Sequence, residues 1–343
     1  MARRGPSVMR IWVAAAASLL VIVGATDAAA WGGAGHRMIG VLAMEALPDT
    51  LPVFLRTRDA SVEVGELSRE LDRSKGAGKI HDSDRDPGHF VDVDDAGLVF
   101  GGPPLNTLPP TREAYETALR AAGQHSWVAG YLPYSMIDRV QQLTKDFAYW
   151  RAAKAGAAFT SSPERRAWLD EDRQRREGLI LKTIGDLSHF AGDGSQPLHV
   201  SLHYNGWGDF PNPRGYTTAK IHGPFEGELV KGGVDIAKVR AGMRPYRDCD
   251  CKLELRVTTY LTDTWKLVEP LYALEKAGGL AKDDPRGVAF ATAQLSVGAS
   301  ELRDLIIVAW KASDTAEVGW KPVKVADVEA GKVDPFDALY GVD

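Results

Sequence analysis

The sequence predicts an all-α protein, one domain of many helices. Three observations carry that expectation. Most segments between Gly- and Pro-rich breaks repeat their apolar residues at helical spacing. Strand-like alternation is confined to one short stretch, "HFVDVD" (89–94). No internal repeat and no linker divides residues 31–343, a length that can bury one large core.

Residues 1–30 read as a secretory signal. Arg3, Arg4 and Arg10 form a positive start, Ile11 to Ala25 is apolar, and Ala28 and Ala30 give a small-x-small cleavage pattern. The apolar run is short for the ~20 residues a bilayer requires, so cleavage is expected rather than anchoring. The mature chain then starts at Trp31 and is secreted or periplasmic. No later stretch is long and apolar enough to span a membrane.

From Trp31 onward the helices follow in order. "HRMIGVLAMEAL" (36–47) is helix-patterned and stops at Pro48. "LPVFLRTRDA" and "VEVGELSRELDR" are short helical candidates. Residues 76–110 are rich in Gly, Pro and Asp and read as loop, with a strand or ribbon at "HFVDVD". Thr111 caps a helix running to about Ala122. "SMIDRVQQLTKDFAYWRAAKAGAAF" is a long helix, and a second, opened by Ser162-Pro163, runs to Asp193. The charged first half of that second helix is a solvated face, and its second half belongs to the core. Residues 204–221 read as an exposed loop. Two further helical stretches cover 252–277 and 286–313, before an irregular tail. Phe147, Trp150, Trp265 and Tyr272 are expected in the core.

Charge narrows the partners. Removing residues 1–30, which hold three Arg and one Asp, takes the net charge from −5 to −7. Bulk charge therefore does not draw this protein to nucleic acid. A phosphate ligand would need local positive charge, such as metal ions. Cys249 and Cys251 stand in "RDCDCK". A local disulfide is expected ahead of two free thiols or a soft metal site lacking partners, and it adds little entropic stabilisation because its loop is small.

The chemistry-bearing residues are histidines and acids. His189 stands four residues before Asp193, and His222 four before Glu226. On a helix such pairs share a face and can ligate one metal. Gly192 and Gly194 leave room beside Asp193, and Pro197 turns the chain so that His199 can return to the same place. His plus carboxylate suits zinc.

With "HFAGDGSQPLH" (189–199) and a mature start of "WGGAGH" (31–36), the chain resembles the superfamily of single-strand-specific nucleases (nuclease P-one and S-one type) and bacterial zinc-dependent phospholipase C. The resemblance implies an all-α fold and three Zn2+ ions. One ion takes the α-amine and carbonyl of Trp31 with His36 and Asp193. A second takes His89, His189, Asp193 and an upstream Asp. The third takes His199, His222 and Glu226. Asp72 is the expected upstream ligand because Lys75 follows it, with Asp82, Asp84 and Asp86 as the alternatives. The acidic run "DSDRD" otherwise reads as a solvated loop or a calcium-like surface cluster. Asp72, Lys75 and Asp193 are implied in catalysis: Asp72 orients or deprotonates the attacking water, Lys75 neutralises a phosphate oxygen, and Asp193 bridges two ions. Cleavage before Trp31 and activity become one expectation, since only a freed α-amine binds metal.

The expected substrate is single-stranded DNA or RNA, cut to 5′-phosphate products by a monomer. Phe90 would stack a base and Asp92 read its edge. The five-residue step from Trp31 to His36 is nuclease-like, whereas Glu226 is what the phospholipase uses, so a phospholipase C is the alternative. Tyr204, Trp207, Phe210 and Tyr216 either rim the site or pack their loop. A helical binding protein with incidental His/acid pairs is the remaining reading. His81, His125 and His203 match nothing in the pattern, and His203 is expected as ordinary polar surface.

Overall fold

Two long helices set the frame. The structure, a computed structural model, describes residues 31–341, and the signal expected over 1–30 lies outside them. Helix α7 (Leu132–Phe159) and helix α8 (Pro163–Ser195) are joined by three residues and pack along each other, as a short connection between neighbouring helices requires. Ser162 caps α8 by accepting from the Arg165 N–H at 3.2 Å, with Pro163 at the first helical position. Helix α13 (Pro285–Ala312) uses the same device through Asp284 and Pro285.

The outer half of α8 is charged and largely exposed, and every residue from Leu187 to Ser195 is buried. Helices α1 (Gly32–Glu45), α2 (Arg58–Leu67), α11 (Leu253–Trp265) and α13 surround that inner half. One apolar cluster runs through it, including Ile39, Phe147, Ile184, Leu187, Leu295 and Leu302. Trp150 and Tyr272 join this core as expected, while Trp265 is only partly buried against it. The chain is thus mostly helical. Among the described residues no helix is long and apolar enough to cross a membrane.

Several boundaries differ from the sequence expectation. Helix α1 begins at Gly32, not His36. The glycines are taken into its first turn because a Cβ at Gly35 would come 2.7 Å from the Trp31 Cβ. "LPVFLRTRDA" is one 3-10 turn (Val53–Arg56), after which α2 starts behind a Thr57 cap. "VEVGELSRELDR" is divided between α2 and α3 (Glu70–Arg73).

The expected loop at 76–110 contains helix α4 (Lys79–Arg85) and a 3-10 turn (Asp86–His89). The ribbon at "HFVDVD" amounts to isolated bridges, Val91 to Gly130 and Val93 to Val99. Thr111 caps α5 (Arg112–Ala121), accepting from Ala114 N–H at 3.1 Å. Helix α6 (Ser126–Ala129) then leads into α7.

After the 204–221 loop come a π-helical turn (Pro224–Glu228), α9 (Leu229–Gly233) and α10 (Ile236–Gly242). Cys249 and Cys251 form a disulfide. The stretch 252–277 is two helices, α11 and α12 (Val268–Lys276). Pro270 explains the break: inside a continuous helix it would leave the Lys266 carbonyl without a donor, whereas the first turn of α12 tolerates it. The tail is ordered too. A hairpin of β1 (Glu317–Val318) and β2 (Val323–Lys324) precedes α14 (Val325–Glu329) and α15 (Phe336–Tyr340). Val318, Val325 and Val328 pack against Ala148 and Ala152 of α7.

Candidate metal centre

The inner end of α8 holds His189 and Asp193 one turn apart, with His189 Nε2 3.4 Å from Asp193 Oδ2. From α1, the His36 ring stacks on His189 with centroids 4.0 Å apart, and its Nε2 lies 3.5 Å from Asp193 Oδ1. Gly192 permits that approach, because a Cβ there would meet His36 Nδ1 at 2.8 Å. His89 enters from the Asp86–His89 turn. Its Nδ1 is 2.9 Å from His189 Nε2 and 3.1 Å from Asp193 Oδ2. Asp72 of α3 lies with Oδ1 3.8 Å from His189 Nε2 and 2.8 Å from Lys75 Nζ.

The third group lies beyond the α8 terminus. Pro197 ends the helix, and a 3-10 turn (Pro197–His199) swings His199 inward. His199 Nε2 is 3.1 Å from His222 Nε2 and 3.3 Å from Glu226 Oε1. His222 and Glu226 are also 2.5 Å apart. Their four-residue spacing is realised where an α-turn becomes the π-turn.

Backbone carbonyls fix three of the rings. His189 Nδ1 donates to Ser68 O, His199 Nδ1 to His89 O and His222 Nδ1 to Tyr204 O, each at 2.8 Å. A carbonyl only accepts, so each Nδ1 carries the proton. A neutral ring then presents a lone pair at Nε2 toward the acids. Gln196 donates to Glu226 Oε1 at 2.6 Å, and its own carbonyl oxygen accepts from Leu198 N–H. Sequence reasoning quoted this glutamine in "QPLH" without giving it a role. The Ser68 and Tyr204 carbonyls carry no sequence signal at all.

Three groups of side chains can therefore each hold a metal ion: His36 with His189 and Asp193; Asp72 with His89 and His189; and His199 with His222 and Glu226. Ligand atoms of tetrahedral zinc lie roughly 3.3–3.6 Å apart, given arms of about 2.0–2.2 Å. The separations above bracket that range. The donors also fit a cation energetically. Both ring nitrogens of His36, Asp193 Oδ1 and Glu226 Oε2 are buried with no hydrogen-bond partner. Each such group costs about 1–3 kcal/mol, whereas a structural zinc site contributes about 10–16 kcal/mol.

Titration behaviour follows the same crowding. Burial raises the Asp193 carboxyl to about 6, against the pull of His189 and His199. Burial also lowers His89 to about 3, aided by Lys75. At His199 burial works downward, but Asp193 and Glu226 outweigh it and raise the ring to about 9. Burial would raise Asp72, yet His189, Lys75 and His36 hold it below the usual carboxylate range. Lys75 stays cationic despite burial because Asp72, Asp193 and Asp86 face it.

Trp31 sits at the edge of the first group. Its side chain is fully buried, and its indole N–H reaches Gly192 O and Ser195 Oγ, both at 2.9 Å. Its carbonyl accepts from Gly35 N–H at 3.0 Å, which leaves one lone pair. Phe90 and the buried Asp92 line an apolar cavity of about 490 Å³, beside Phe100, Leu198, Tyr204 and Phe210. Burial holds the Asp92 carboxyl well above the usual range. A second cavity of about 750 Å³ lies on the other side, and Lys75, Asp86 and His89 line both.

The 204–221 loop divides its aromatics. Tyr204 and Phe210 face the apolar cavity, while Trp207 and Tyr216 are buried inside the loop. His203 is not polar surface. It is buried, stacks on Trp207 at 3.8 Å, donates from Nδ1 to Trp207 O at 2.8 Å, and lies 2.9 Å from Asp95. The loop needs an interior, and His203 supplies its polar centre. Asp82 accepts from Gly76 N–H at 3.2 Å and pairs with His81 at 3.1 Å, away from the three groups. No family model matches the chain, and neither does any curated protein or solved structure.

Proposed function

We propose that the protein is an exported, zinc-dependent phosphodiesterase, an endonuclease and 3′-nucleotidase that cuts single-stranded DNA and RNA to 5′-phosphate products. The observation that carries this reading is the meeting of three His/acid groups, with buried donor atoms left unpaired, beside an aromatic cavity. Zinc, when bound, supplies Lewis-acid activation of water and positive charge facing a phosphodiester. His36, His89, His189 and Asp193, with Asp72, hold two ions, and His199, His222 and Glu226 hold the third. Signal cleavage before Trp31 frees an α-amine for the first of these.

The remaining roles belong to the side chains. Asp72, held anionic, orients the attacking water and accepts its proton. Lys75 bonds a non-bridging phosphate oxygen from its place 2.8 Å from Asp72. Phe90 stacks the base next to the scissile bond, and Asp92 reads its edge.

A phospholipase C is the second reading, favoured by Glu226 and by the apolar Leu198, Leu202 and Val128 in the same cavity. Mature protein loaded with zinc and assayed side by side decides between them. Single-stranded DNA and RNA should be cut and phosphatidylcholine left intact. Hydrolysis of phosphatidylcholine alone reverses the assignment. Protein that takes up no zinc is neither enzyme.

A further inference from the structure

The two cavities that meet at Lys75 and His89 differ in chemistry. The one holding Phe90 is apolar and aromatic. The other carries Arg85, Arg112 and Arg139 with Lys75, against the carboxylates of Asp84, Asp86 and Asp138. Partners are unevenly shared. Lys75 is paired with Asp72 at 2.8 Å, and Arg139 with Asp138 at 3.1 Å. Arg112 lies flat on Tyr131, its guanidinium carbon 3.6 Å from the ring centroid, and Arg85 is exposed. Neither has a carboxylate within ion-pair distance among the described residues. Tyr131 is itself held by its hydroxyl, which donates to Asp84 O at 2.5 Å. Thr111 and Arg112 open α5, so the positive end of that ten-residue helix faces the same cavity. Two guanidinium groups without an ion pair among the described residues, and a helix N-terminus, thus border a space large enough for a nucleotide.

We propose that this cavity seats a second phosphate of the same substrate, one linkage along the chain from the phosphate being cleaved. The assignment rests on the phosphodiesterase reading and specifies its substrate: a polyanionic strand, with a base on the Phe90 side and the next phosphate on the Arg85/Arg112 side. Arginine suits the role because its planar fork meets phosphate through two hydrogen bonds.

The test compares thymidine dinucleotide with the same dinucleotide carrying one added phosphate at either end, scoring only cleavage of the internucleotide linkage because a 3′-nucleotidase also removes a terminal 3′-phosphate. For wild-type holoprotein, one of the phosphorylated forms should have a kcat/KM at least tenfold above the plain form. In Arg85→Ala/Arg112→Ala that ratio should fall to within twofold of one, and Arg85→Lys/Arg112→Lys should restore part of it. Both residues are exposed, so the fold survives the change. Calorimetric titration of the same dinucleotides into metal-stripped protein gives a readout without turnover: the added phosphate tightens binding to wild type and not to the double alanine variant. If no dinucleotide is hydrolysed, the nuclease reading fails by itself and the calorimetry still judges the cavity. A phosphate preference that is absent from both measurements, or that survives the double substitution, overturns the assignment.

Discussion

Two clusters of ionisable side chains are buried among the described residues, and they differ in one respect. Near the outer end of α11 and the middle of α13, Arg244, Arg256 and Arg303 surround Glu301 and Asp304. Arg256 grips Glu301 with two bonds of 2.6 and 3.0 Å and reaches Asp304 at 3.1 Å, while Arg303 meets Asp304 at 2.9 Å and the Arg244 carbonyl at 2.8 Å. Arg244 adds a 2.5 Å bond to Glu301. Each carboxylate is answered by guanidinium groups from its own chain. In the His/acid cluster, by contrast, buried atoms are left without partners: His36 has none at either nitrogen, and neither do Asp193 Oδ1 and Glu226 Oε2. A network whose carboxylates are all paired reads as structure, although Arg244 Nε has no partner there. One whose buried acceptors are left unpaired reads as a site for cations.

Breaking the two clusters should have opposite signatures. Asp193→Asn removes the carboxylate common to His36, His89 and His189, and should abolish phosphodiesterase activity. The expected drop exceeds the ~10–100-fold typical of residues that merely orient a metal ligand. Urea unfolding of the metal-free protein should show no loss of stability and, at neutral pH, a gain, because burial raises the Asp193 carboxyl to about 6 and its ionised form weakens the fold there. Arg256→Ala does the reverse. It leaves Glu301 and Asp304 short of a partner and should cost about 3–5 kcal/mol of stability, with zinc content unchanged in protein that remains folded.

Gln196→Ala lies between these extremes. The glutamine touches Glu226 rather than the substrate, so zinc affinity at the third group should weaken by about 10–100-fold. Equilibrium dialysis against a zinc buffer reads that directly, and an unchanged affinity removes Gln196 from the account. The smallest effect belongs to the outer disulfide. Cys249→Ser/Cys251→Ser opens so short a loop that no more than about 1.5 kcal/mol is at stake, and thermal unfolding under non-reducing conditions measures it.

The same contrast separates what was legible in the sequence from what was not. His189 and Asp193 were legible because they repeat at the period of the helix that carries them. The caps at Thr111 and Ser162 were legible because capping is local chemistry. The helical character of the chain followed from such periodicities. The arginine cluster was invisible, since Arg244 and Arg303 are brought together only by packing of α13 against the segment after α10. Helix α4 was hidden by the Gly, Pro and Asp around it, and the order of the tail by its dependence on small residues of α7. His203 was misplaced because a loop gives no period from which burial can be read. Arg85 and Arg112 were silent for a related reason: each is an ordinary surface arginine until α4 and α5 are set on either side of one cavity.

Metal should complete the His/acid cluster. Mature protein starting at Trp31, purified without chelator and dialysed against trace zinc, should contain close to three zinc ions per chain by elemental analysis. His36→Ala/His222→Ala should hold fewer than two. Fully folded wild-type protein that binds no zinc at micromolar free concentration would contradict the account.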